Sequence, residues 1–114
     1  MFLLFAILSF GWPAPAVEFG PAKAPAPLHW KLTVANCCGS MRPILNGGET
    51  VHVSPPLPKE QLTGKIIYNG QSLHMVSTEN ERAVRTSGTN NRHSDDWTPR
   101  SQIEYVVRYV ERKP

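Results

Sequence analysis

Hydrophobic and polar positions fall into three regimes along this chain. Residues 1–12, Met-Phe-Leu-Leu-Phe-Ala-Ile-Leu-Ser-Phe-Gly-Trp, are almost wholly apolar. A helix of roughly ten such residues spans about 15 Å, half the ~30 Å hydrocarbon core of a bilayer. The run is short for a membrane span and long enough for the apolar centre of a secretion signal. Ala14-Pro15-Ala16 follows as an Ala-x-Ala site, with cleavage expected before Val17, although no Lys or Arg precedes the apolar run. The first expectation is a signal or short anchor, with membrane association through residues 1–12 or export to the extracytoplasmic side. The second is a hydrophobic arm packed on the domain or on a partner.

The second regime is residues 13–28, where Pro13, Pro15, Pro21, Pro25 and Pro27 alternate with alanines. Such a stretch predicts an extended, polyproline-like linker with no core of its own. The domain boundary is expected near Leu28, which leaves residues 1–28 as apolar segment and linker and residues 29–114 as the folded domain.

The third regime has short apolar runs of strand period, punctuated by turn residues. His29 to Val34 alternates loosely and predicts a first strand. Thr50 to Val53 predicts a second, which Pro55-Pro56-Leu57-Pro58 ends. Gly64 to Tyr68 predicts a third, and Asn69-Gly70 is a strong hairpin signal leading into Ser72 to Val76. Arg82 to Thr86 predicts a further strand. Residues 87–100 are polar and turn-rich. Ile103 to Val110 is apolar with imperfect alternation and fits a closing strand better than a C-terminal helix. The sum is an all-β domain of short, mostly antiparallel strands.

Composition narrows the picture. At 114 residues the chain is one domain. Hydrophobic residues make up 40% and charged residues 18%, enough for a modest core. The net charge of +3 comes from 12 basic and 9 acidic residues. The basic residues are scattered and not interleaved with aromatics, which argues against a nucleic-acid surface. The two cysteines, Cys37 and Cys38, are adjacent. They can bond only through a strained ring and lack metal-site spacing, so neither a disulfide framework nor a metal or other cofactor is expected.

Candidate chemistry centres on Gly39-Ser40-Met41-Arg42-Pro43-Ile44-Leu45. Gly39 carries no Cβ, so a ligand backbone can approach the neighbouring hydroxyl closely. Pro43 stiffens the chain beyond it. A serine hydroxyl needs a neighbouring base to act as a nucleophile. His29, His52, His74, His93 and Lys65 are the candidates; an imidazole suits the role, whereas a lysine must first be desolvated. Asp95-Asp96 can supply the carboxylate that orients such a base. Spacing alone does not choose among the histidines.

The order of motifs resembles the type I signal peptidase family. The serine box is Cys38-Gly39-Ser40-Met41-Arg42-Pro43-Ile44-Leu45. Gly48-Glu49-Thr50-Val51-His52-Val53 stands where the family has Gly-Asp and a β-run. Gly64-Lys65-Ile66-Ile67-Tyr68 matches its Gly-Asp-Ile-Val-Val-Tyr strand, and Leu73-His74-Met75-Val76 falls where its base segment belongs. Gly88-Thr89-Asn90-Asn91 with Asp95-Asp96 matches the last box. The match spans about residues 34–110. The resemblance implies a serine endopeptidase acting on polypeptides with Ala-x-Ala segments. Ser40 would be the nucleophile, His74 the base of the histidine-using branch, and Asp96 or Asp95 the orienting carboxylate. The Ser40 N–H would donate to the oxyanion, Cys38 would hold the place of a serine that assists it, and Met41 would line the pocket or fill core. Cys38, Lys65, Met75 and Thr89 depart from the family pattern, as in a minimal, divergent member. A non-catalytic module on the same fold is the alternative. A self-cleaving relative of the SOS-repressor peptidases is another, although Lys65 is misplaced for the lysine base of that branch.

Overall fold

The computed structural model describes residues 17–35, 41–42, 44–87 and 96–112. They form strands β1 (Glu18–Gly20), β2 (Trp30–Thr33), β3 (Thr50–Ser54), β4 (Ile66–Tyr68), β5 (Leu73–Glu79), β6 (Ala83–Ser87), β7 (Trp97–Pro99) and β8 (Tyr105–Glu111), with one 3₁₀ turn at Arg100–Gln102. The fold is all-β. The strands make one sheet in the order β2-β3-β8-β4-β5-β6-β7, and every pair along that path is antiparallel. β1 lies off the path and pairs parallel with β8, on the side that β4 occupies further along. The closing strand of the sequence is therefore an interior strand of the sheet, paired with β3, β4 and β1. Among the described residues no helix is long and apolar enough to cross a membrane.

Directly opposed residues share a face of a sheet, and successive residues alternate. On one face Val51, Val53, Ile66, Val107 and Val110 form a buried cluster, roofed by Met41 and Leu45. On the other face Ile67, Val76, Val84 and Val106 pack with Leu62 and Ile103 from the connections. Both faces are thus covered, and fully burying one such aliphatic side chain stabilises the fold by about 1.5–3 kcal/mol. This explains the short, dense runs of the sequence: β3 and β8 are flanked on both edges and filled on both faces.

A bulge accounts for the imperfect alternation of residues 103–110. Val53 pairs with Val107 but His52 pairs with Tyr109, so Arg108 is the extra residue. The bulge keeps Val107 and Val110 on the same face despite their odd spacing, and it re-aims Arg108. The guanidinium reaches the Glu60 carboxylate at 2.5 and 3.0 Å, Ser54 Oγ at 2.8 Å and the Pro55 carbonyl at 3.0 Å. Lys65 Nζ joins the same carboxylate at 2.8 Å. This cluster ties the proline-rich connection to the sheet centre.

Three local features differ from the sequence expectations. The Pro/Ala stretch contains β1, and Val17 packs against the first core cluster, so the sheet extends upstream of the boundary expected at Leu28. The polar stretch 87–100 includes β7. The Asn69-Gly70 hairpin turns one residue later than an Asn-Gly centre would place it. Asn69 sits at the strand end, its Oδ1 accepting from the Gln71 and Ser72 N–H groups, while Gly70 takes the positive φ of 94°. An Asx cap with glycine next in line satisfies the turn without a side chain in the left-handed region.

Candidate active site

The residue after the expected nucleophile is held firmly. Met41 is only 5% exposed and belongs to the first core cluster. Its carbonyl accepts from the Leu45 N–H at 2.8 Å, a tight turn that drives both side chains into the core. The loop beyond is clamped to the end of β8. The Arg112 guanidinium pairs with Glu49 at 2.5 and 2.7 Å and donates to the Ile44 carbonyl at 2.7 Å. Glu49 also accepts from the Asn46 N–H at 2.7 Å. The Arg112 hydrogen bond, reinforced by that N–H, outweighs the cost of burial and holds the Glu49 carboxyl below the usual carboxylate range. Ser40 itself, with Cys38 and Gly39 before it, lies outside the described residues, as do Asp95 and His93.

His74 is on β5 and half-buried. Its cross-strand partner is Ile67 of β4, which puts the imidazole on the face of the second cluster. Its neighbours Leu73 and Met75 pack instead against the cluster that contains Met41. The β5–β6 ladder begins at Met75 opposite Ser87, so His74 lies one residue beyond the end of that ladder. Asp96 is exposed and immediately precedes β7. β6 lies between β7 and β5, which separates their backbones by about 10 Å. The sheet thus leaves Asp96 beside β7, two strands from His74 on β5, while Met41 packs on the opposite face.

The other candidate bases have structural or separate roles. Lys65 is engaged with Glu60. His52 is 1% exposed and its Nε2 lies 2.6 Å from Glu111 Oε2, where Lys31 Nζ also binds at 3.0 Å. The His52 hydrogen bond, then that of Lys31, lowers the Glu111 carboxyl to about 2. His29 lines a cavity next to His52 and Arg108. Sequence reasoning missed the Arg112–Glu49 clamp and the His52–Glu111 pair, because 63 and 59 residues separate the partners. Among the described residues no group of three or more His, Cys, Asp or Glu side chains is arranged to hold a metal ion.

No family model, curated protein or solved structure matches this chain.

Proposed function

We propose that this chain is a serine endopeptidase of the signal-peptidase type, cleaving polypeptides after small residues in Ala-x-Ala segments. The observation that carries the reading is the order of the five motif segments along an all-β domain. The buried, turn-locked Met41 supports it, because a nucleophile needs a fixed neighbour to be presented reproducibly. In this reading Ser40 Oγ forms a bond to the scissile carbonyl carbon as its proton passes to His74. The Ser40 N–H donates to the oxyanion. The carbon–nitrogen bond then breaks, and the leaving amine takes the proton from the imidazolium. Water, deprotonated by the same imidazole, releases the acyl group from Ser40. Asp95 or Asp96 orients the ring. Gly39 lets the substrate backbone approach, Cys38 flanks the oxyanion, and residues 1–12 bring the domain to the membrane.

Cleavage of an Ala-x-Ala peptide tests this. Wild type is expected to cut, with Ser40→Ala and His74→Ala each losing at least ~100-fold in kcat/KM. Activity is expected to fall on the acid side, where an imidazole base carries a proton. Cleavage that survives Ser40→Ala would refute the assignment of the nucleophile.

The second reading is a non-catalytic interaction module on the same sheet. The separation of Asp96 from β5 by the whole of β6 favours it, together with the departures at Cys38, Lys65, Met75 and Thr89. A folded wild type that cuts no Ala-x-Ala peptide would decide for that reading.

A further inference from the structure

Beneath residues 21–29 the sheet carries a cavity of about 310 Å³. His52, Arg108 and Tyr109 form its floor, and Glu18, Lys23 and His29 stand around it. It lies at β3 and β8, two to three strands or about 10–14 Å across the sheet from β5, which carries the candidate catalytic histidine. The proposed peptidase chemistry makes no use of it.

The charges around this cavity are unequally engaged. Arg108 is engaged with Glu60, and His52 and Lys31 with Glu111. The Glu111 carboxylate also accepts from the Lys23 N–H at 3.3 Å. The Lys23 ammonium has a different partner: it lies 3.8 Å from the centre of the Tyr109 ring, against a π-face. That contact holds a cation in place without neutralising it. His29 also lines the cavity, and its backbone N–H is fixed on the Ala26 carbonyl at 3.0 Å. Tyr109 donates its hydroxyl hydrogen to the Pro21 carbonyl at 2.9 Å, which pins the covering chain and keeps the cavity's shape.

We propose that this cavity is a binding site for a small oxyanion, a phosphate or carboxylate group held between Lys23 and His29. An ammonium and an imidazole lining one cavity can both donate to an oxyanion's several acceptors, the ammonium's hydrogen bond being charge-assisted. The local field agrees. Burial, and then the positive charges of Arg108, His52 and Lys23, depress the pKa of His29, so cations outweigh Glu18 at its ring. A bound anion would reverse that bias and favour the imidazolium.

The experiment follows the titration of His29 by NMR in the full chain, assigned with His29→Gln. It compares chloride, acetate and inorganic sulfate, a tetrahedral oxyanion of constant charge in this range, at matched ionic strength. The expected result is a titration midpoint that rises in sulfate or acetate relative to chloride in the wild type, and that does not differ between the salts in Lys23→Ala. Lys23 is exposed, so that variant keeps the fold. A rise in sulfate alone assigns the site to phosphate-type groups, and a rise with acetate assigns it to carboxylates. Equal midpoints in all three salts, or a rise that persists in Lys23→Ala, overturn the proposal.

Discussion

Single residues reveal how little slack this sheet has. A Cβ on Gly20 would stand 2.2 Å from the Tyr109 hydroxyl and 3.1 Å from the ring carbon that bears it. Tyr109 is 9% exposed and bonded to Pro21, so it cannot simply swing away. Gly20→Ala is therefore expected to destabilise by about 1–3 kcal/mol, read as a lower urea midpoint with unchanged slope. Met41→Ala opens a cavity in the first core cluster and is expected to cost about 2–4 kcal/mol by the same measurement. Its effect on the proposed cleavage should exceed what the loss of folded protein explains. At this scale the sequence was partly legible. Met41 was expected to line a pocket or fill core, and it is buried in the core. Nothing local announced Gly20, whose constraint comes from a ring 89 positions away.

Elements follow the runs of apolar residues closely, even where the paired strands lie far apart in the chain. The runs at 29–34, 50–53, 64–68, 72–76, 82–86 and 103–110 all contain the expected strands. β1 and β7 were not legible, because neither Glu18-Phe19-Gly20 nor Trp97-Thr98-Pro99 carries an apolar run of strand period. The bulge at Arg108 left a trace, the broken alternation of β8, but its purpose became visible only with Glu60 in place. Glu60 is a test of the element scale. Burial pushes its carboxyl upward, yet the hydrogen bonds from Arg108, Lys65 and the Leu57 N–H outweigh that and hold it at about 2. Glu60→Gln leaves Arg108 over a neutral amide and is expected to cost about 1–3 kcal/mol at neutral pH. The loss should shrink toward zero in acid, measured as the difference in urea midpoints at the two pH values.

For the molecule as a whole, the same carboxylates set an acid limit. Glu79 is also raised by burial, but it is held at about 2 by the Leu62 and Thr63 N–H groups, the Thr63 hydroxyl and Arg100. Glu60, Glu79 and Glu111 all sit near 2 against an ordinary 4.5. Their depressed values favour the folded state above the unfolded pKa, and that stability is lost as pH falls from about 4.5 through about 2. Thermal melting across that window is expected to show a steep decline that Glu60→Gln makes shallower. By itself the sequence determined the β class, most of the strands and the order of its motifs, because a two-residue period and turn chemistry are local properties. It also supplied the list of candidate bases. Only the tertiary structure decided that the last strand lies inside the sheet between β3 and β4, that β1 joins it in parallel, and that His52 and Lys65 are bound to carboxylates. Those outcomes depend on which distant segments pair, and pairing is settled by burial of both faces together, which no short stretch of the chain encodes.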